Sequence, residues 1–150
     1  MTILVLHHAW RSSASRRVRL CLEEKGLAYE SHVVDLEKME HHSPEYLKIN
    51  PNGVIPALIH DGKSLYESGT LCEYLDDAFP EPPLRPVGAR YSIADIALVP
   101  FVKRIEEEIA PDEVTPARHP RVAAWWRAIQ ARPAFARAKI GPFLGPQEAG

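Results

Sequence analysis

Three groups of polar residues in this chain have the types and spacing to do chemistry. The first, Ser12-Ser13-Ala14-Ser15, stands between an apolar run, Ile3-Leu4-Val5-Leu6, and a helical pattern with Val18, Cys21 and Leu22 on one face. Hydroxyls at that corner cap the helix or donate to a ligand at the carboxyl end of the first strand. Ser12 and Ser15 hold the spacing of a Cys-x-x-Cys pair, so redox exchange by the protein's own thiols is not expected. The second group, Glu67-Ser68, closes a strand and opens a helix, with Ser68 expected as N-cap ahead of Leu71, Cys72 and Leu75. A helix N-terminus offers unpaired N–H groups and a positive dipole end to a carboxylate, and a neighbouring acid accepts from an ammonium. The third is His41-His42, which reads equally as a ligand contact or as a solvated pair at a helix entry. His7-His8 with His41-His42 lacks a Cys or carboxylate at ligand spacing, so no metal is expected.

The elements that must position these groups read in order. Ile3 to Leu6 suits a buried strand, and the helix after the serines stops at Gly26. Tyr29 to Leu36 reads as a second strand, and Ser43-Pro44 as the cap and first position of a short helix carrying Tyr46 and Leu47. Asn50-Pro51-Asn52-Gly53 is a loop, and Pro56 stands before a buried strand, Ala57-Leu58-Ile59. Asp61-Gly62 is a type I′ hairpin signal that returns the chain through Ser64-Leu65-Tyr66. The order is βαβαββα. Arg16, Arg17 and Arg19 are expected on the helix surface as ion-pair partners, and Cys21 and Cys72 as small buried hydrophobes rather than a disulfide, which fits a reducing cytoplasm.

Pro80-Glu81-Pro82-Pro83-Leu84-Arg85-Pro86 is a proline-rich linker, giving a division into 1–80, a linker 81–90 and a helical part 91–150. Tyr91-Ser92-Ile93-Ala94-Asp95-Ile96 reads as a capping box, with Ser92 as N-cap, Asp95 at N3, and Tyr91 and Ile96 as a hydrophobic staple. From Ile93 to Val102 the helix is apolar nearly all round, so we expect self-association to cover it, with Val99 on the covered face. Pro100 removes one helical bond. A further amphipathic helix runs from Pro120 through Val122, Trp125, Trp126 and Ile129 to near Pro133.

Composition narrows the partners. A net charge of −2 with both signs interspersed leaves no basic stripe for nucleic acid, and no apolar run approaches the length of a membrane span, so neither nucleic acid nor membrane is expected as a partner.

The Asn-Pro-Asn-Gly loop, proline, hairpin and Glu67-Ser68 corner together resemble the second half of a thioredoxin-like domain as used by glutathione transferases. Ser12-Ser13-Ala14-Ser15-Arg16-Arg17-Val18-Arg19 is similar to the Ser-Ser-Cys-Ser-x-Arg-Val-Arg signature of the zeta class, with Ala14 in place of the cysteine. The resemblance implies an α/β plus all-α fold: a thioredoxin-like N-terminal domain with a mixed sheet, then a glutathione-transferase-type helical domain. It implies that Ser12 donates to the glutathione sulfur, lowering a thiol pKa from about 8.5 toward the range of roughly 3.5 to 7.5. It further implies glutathione contacts at Ser13, at His41 (glycine carboxylate), at a cis Ile55-Pro56 bond (cysteinyl backbone) and at Glu67 and Ser68 (γ-glutamyl end).

The implied activity is a glutathione transferase of the kind used in detoxification. Thiolate attacks a small electrophile, or serves in isomerisation or ether cleavage, in a cytoplasmic homodimer or other self-associated form. The Ser92 helix start and the segment from Pro120 are similar to the family's C-terminal domain. Complete members carry two long helices between linker and capping box, where this chain has only Val87-Gly88-Ala89-Arg90. That departure leaves, as alternatives, a glutathione-binding or protein-interaction module without its electrophile pocket, or a structural remnant that binds nothing.

Overall fold

A four-stranded mixed sheet is the frame on which both halves of the chain are built. The computed structural model describes residues 3–85 and 90–141. Four of the residues at the expected junction, 86–89, and the C-terminal 142–150 lie outside them. β1 (Leu4–His8) is followed by α1 (Ser13–Glu24), β2 (Glu30–Val33), a 3-10 turn at Glu40–His42, α2 (Pro44–Ile49), β3 (Ala57–His60), β4 (Lys63–Tyr66) and α3 (Ser68–Ala78). Strand order is β2-β1-β3-β4, with β1 parallel to β2 and antiparallel to β3, and β3 antiparallel to β4.

The local choices follow from the sequence. Asp61 and Gly62 have φ of 48° and 76°, both left-handed, as the expected hairpin turn requires. Behind α1, Gly26 takes φ 63°, and the bonds Gly26 N–H to Glu23 O and Leu27 N–H to Leu22 O close the helix end. β2 is shorter than the expected 29–36 span. The Asp35 carboxylate accepts from the N–H groups of Glu37 and Lys38 at 3.0 and 3.1 Å, folding the chain into a turn before a longer strand can form.

After the linker come α4 (Ile93–Arg104), a π turn at Ile105–Ile109, a 3-10 turn at Pro111–Val114, α5 (Pro120–Gln130) and α6 (Pro133–Arg137). The capping box is present: Ser92 Oγ accepts from Ala94 N–H at 3.3 Å and Asp95 Oδ2 accepts from Ser92 N–H at 2.8 Å. Asp95 Oδ1 also accepts from Trp125 Nε1 at 2.7 Å, which ties the start of α4 to α5. One apolar core runs through both halves, with Leu6 and Leu58 from the sheet, Val18, Leu71 and Leu75 from α1 and α3, and Ile96, Val99 and Trp126 from the later helices. Among the described residues no helix is long and apolar enough to cross a membrane.

Two expectations about α1 and α4 are corrected. Arg16 and Arg19 are buried, at 1% and 0% exposure, rather than on the surface. Arg19 lies where two segments expose carbonyls. Its Nε and Nη2 donate to Ala138 O and Lys139 O after α6, at 2.9 and 3.2 Å, and its Nη1 and Nη2 to Ala9 O and Trp10 O after β1, at 3.3 and 3.2 Å. On α4, Val99 and Ile96 are fully covered by the chain itself, so Val99 is not on an open face. The open face carries Leu98 and Phe101, 55% and 48% exposed.

Candidate active site

Strand register brings three separate chain segments to one edge of the sheet. His7 of β1 stands opposite Ala57 of β3, and Ala57 opposite Tyr66 of β4. The loop leaving β1 toward Ser12, the Ile55-Pro56 approach to β3, and Glu67-Ser68 after β4 therefore all emerge at the same end. The His41-His42 turn lies against the Asn50–Gly53 loop, with His41 O 3.4 Å from where a Gly53 Cβ would stand.

Ser12 is the N-cap of α1, its Oγ accepting from Ser15 N–H at 3.1 Å. Among the described residues that is the only hydrogen bond its side chain makes, so the hydroxyl proton is uncommitted and the residue is half-buried rather than sealed. Ser13 opens the helix beside it. Ser15 is buried and accepts from Ala9 N–H at 3.4 Å, fastening the loop that carries Ser12.

The Ile55-Pro56 peptide is cis. Among the described residues neither the N–H nor the C=O of Ile55 has a hydrogen-bond partner, although strand pairing begins two residues later at Ala57. Unpaired backbone at a strand entrance is a template for another extended segment. The preceding residue is pinned: Val54 O accepts from Tyr46 Oη and from Asn50 Nδ2, both at 2.7 Å, and Asn50 Oδ1 accepts from Asn52 N–H at 3.1 Å. Gly53 takes φ 62°, and a Cβ there would stand 2.9 Å from His42 Nδ1. The His41-His42 turn is thus packed on the loop, and His41 Nδ1 is buried without a hydrogen-bond partner among the described residues.

Ser68 does not cap α3; that expectation is corrected. Ser68 is the first helical residue and Glu67 precedes it with φ 72° and an exposed side chain. The Ser68 hydroxyl does not turn onto its own helix because it accepts from Arg17 Nη1 at 3.1 Å. A glutamate held at positive φ stores on the order of 1–3 kcal/mol, which structures retain chiefly at functional sites.

Beneath the site, His8 is fully buried between Arg19 and Ser31. Burial and the Arg19 guanidinium push its pKa down to about 3, so the ring is neutral. Arg19 Nη1 donates to Nδ1, which leaves the proton on Nε2, facing Ser31 Oγ at 2.8 Å.

The glutathione S-transferase N-terminal domain family model matches residues 6–83, more than half of the chain. The chain belongs to the glutathione S-transferase family. A zeta-class glutathione S-transferase from Euphorbia esula is 34% identical over 140 residues, 85% of this chain and 62% of the relative. A probable maleylacetoacetate isomerase from Vibrio cholerae is 43% identical over 102 residues, 65% of this chain and 47% of the relative. The crystal structure of the beta-etherase LigF from Sphingobium superposes with a TM-score of 0.82 at 23% identity, over 90% of this chain and 98% of that one. The chain spans 37%, 62% and 23% of the length of three curated relatives that it matches.

Three residues that hold the candidate site in place are not marked as such by the sequence reading: Arg17 is expected on the helix surface, Tyr46 on a short helix and Asn50 in a loop. The signal was present for Asn50, since Asn at a turn start bonds its own backbone two residues on. For Arg17 and Tyr46 the partners are distant in sequence or in the next loop, and nothing local marks them.

Proposed function

We propose that this chain is a serine-type glutathione transferase in which Ser12 activates the co-substrate thiol. The Ser12 O–H donates to the glutathione sulfur, and the first turn of α1 adds its positive end, so the thiol releases its proton to solvent and persists as thiolate. The sulfur lone pair then forms a bond to an electrophilic carbon, and the leaving group departs with its electrons. Where addition is followed by elimination, glutathione is regenerated and the net reaction is an isomerisation. Ile55 lends its N–H and C=O to the cysteinyl backbone, His41 and Ser13 stand for the remaining polar groups of the tripeptide, and Glu67 with Ser68 holds the γ-glutamyl end. The relatives named as a zeta-class transferase, an isomerase and a beta-etherase support this reaction class.

The observation that carries the reading is the uncommitted hydroxyl proton of Ser12, held by its own cap bond at the edge where the unpaired Ile55 backbone emerges. Ser12→Ala is expected to lower kcat about 10- to 150-fold, the worth of one hydrogen bond to a charged group, while glutathione affinity changes little. Steady-state turnover of a generic aromatic halide alongside calorimetric glutathione binding measures both. Unchanged kcat would remove Ser12 from the mechanism.

We further infer self-association through the Leu98 and Phe101 face of α4, and placement in the reducing cytoplasm, consistent with Cys21 and Cys72 as buried free thiols. The two long helices that the family resemblance places between linker and capping box, and for which this chain has no room, would otherwise cover that face.

A further inference from the structure

The two asparagines of the chain stand two positions apart in the loop that presents Ile55, in opposite surroundings. Asn50 is fully buried, its Oδ1 accepting from Asn52 N–H at 3.1 Å and its Nδ2 donating to Val54 O at 2.7 Å. The residue after it is Pro51, which has no backbone N–H. Asn52 is exposed, and among the described residues its side chain makes no hydrogen bond. The residue after it is Gly53. The side-chain amide carbon of an asparagine is open to attack by the backbone nitrogen of the next residue, least hindered where that residue has no side chain. Asn52-Gly53 meets these conditions, and Asn50-Pro51 does not.

The glycine is not free to change. Gly53 sits at φ 62°, and a Cβ there would stand 2.9 Å from His42 Nδ1 and 3.4 Å from His41 O. A side chain at 53 would shield Asn52, but it would strain the backbone and push on the His41-His42 turn. Among the described residues the Gly53 nitrogen is held by a single bond, to Asn50 O at 3.0 Å, across an exposed turn at Pro51 and Asn52. Exposed turns with few buried contacts open locally at low cost, and opening releases that nitrogen.

We propose that Asn52 is a site of spontaneous deamidation and that its isoaspartyl product disables the loop that presents Ile55, a consequence that rests on the reading of this edge as the glutathione site. The Gly53 nitrogen bonds to Asn52 Cγ, the C–N bond of the side-chain amide breaks, and ammonia leaves with the proton that the Gly53 nitrogen gave up. The product is a cyclic imide. Water then adds to one of its two carbonyls: opening at Cγ gives aspartate, and opening at the main-chain carbonyl gives isoaspartate. In isoaspartate the main chain runs through Cβ and Cγ, which adds one carbon between the N–H groups of residues 52 and 53. Those two donors fasten the turn to Asn50 Oδ1 and Asn50 O, and they no longer fit both acceptors. Asn50 also holds Val54 O, so the displacement passes to Ile55, the proposed partner of the cysteinyl backbone. Aspartate keeps the backbone and only adds a charge at an exposed position.

The test ages the full, folded chain at neutral and at mildly alkaline pH. Peptide mapping with ammonia release follows residue 52, and calorimetry follows glutathione binding. Asn52 should convert to isoaspartate and aspartate, faster at the higher pH because the attacking nitrogen must lose its proton. The isoaspartyl fraction should bind glutathione about tenfold more weakly or worse, the worth of a lost hydrogen bond. Asn52→Ser, which has no amide to lose, should keep its affinity through the same ageing. Freshly prepared Asn52→Asp should bind within about threefold of fresh unsubstituted protein, as exposed substitutions generally do. A residue 52 that stays asparagine in the folded chain, while the same chain converts in urea, overturns the site. An isoaspartyl fraction that binds as the fresh protein does overturns the consequence for the loop. If fresh protein does not bind glutathione, the reading of this edge fails, and the peptide map alone decides whether Asn52 is modified.

Discussion

The sheet unit before the linker and the helices after it are held in place by different kinds of interaction. Within 3–85, position comes from backbone: strand register, the left-handed Asp61-Gly62 turn, Gly53 packed on His42, and loops bonded to their own side chains. The helices of 90–141 are joined to that unit by long side chains that mostly leave one helix. Arg19 reaches the segment after α6, Glu24 receives Arg132 through two bonds at 2.6 and 2.7 Å, and Glu23 receives Arg137 at 2.8 Å. Lys25, just past α1, is buried with Asp76 at 2.7 Å and also donates to Pro82 O, fixing the linker. Since α1 also carries Ser12 at its start, the later helices are fastened to the element that positions the candidate catalytic hydroxyl.

The substitution that tests this division most severely is Arg19→Met. It would leave carbonyls from Ala9, Trp10, Ala138 and Lys139 without their shared donor in a buried site. Each unsatisfied buried acceptor costs about 1–3 kcal/mol, and partial relaxation still leaves an expected loss of about 3 kcal/mol or more in urea unfolding. A loss under about 1 kcal/mol would mean that the later helices stand on their own apolar packing and α1 is not their anchor.

Acid separates the two regions by a different route. His8 has its pKa lowered to about 3 from 6.5 through burial and Arg19, and burial with His32 lowers His7 in the same direction. The unfolded chain therefore takes up the proton first. The stability contributed by neutral His8 is complete above pH 6.5 and is lost as pH falls toward 3. Between pH 7 and 5 the loss should be about 2 kcal/mol, and the slope should flatten in His8→Gln. Equal slopes in the two proteins would place the acid-sensitive group elsewhere.

What could be read from the sequence divides along the same line. The βαβαββα order, the hairpin, the Ser43 and Ser92 caps and the three segments of the candidate site depend on residues within a few positions of one another, and Pro, Gly, Asn and Ser state such geometry locally. The burial of Arg16 and Arg19 was not legible because it depends on carbonyls far along the chain. Sequence spacing alone makes a triplet of arginines on a helix look solvated. Ser68 reads as a cap for the same reason: the local rule is sound, but its hydroxyl accepts from Arg17, 51 positions away in the sequence. On α4 the composition showed too much apolar surface for one face, yet could not say which residues turn outward, and Val99 faces the core.

That last point determines how to test self-association with the least disturbance. Val99→Glu would bury a charge in the core and unfold the chain whether or not it associates. Leu98, at 55% exposure, sits on the open face of the same helix one position away. A glutamate there should change unfolding stability by no more than about 0.5 kcal/mol, as surface substitutions generally do. If the Leu98 and Phe101 face mates with a second copy, Leu98→Glu places like charges opposite each other across the contact and should shift the sedimenting species from dimer to monomer at micromolar concentration. The same monomer in both proteins would show that the face stays open. The helices after the linker would then be completed by the α1 and α3 side of the sheet unit alone.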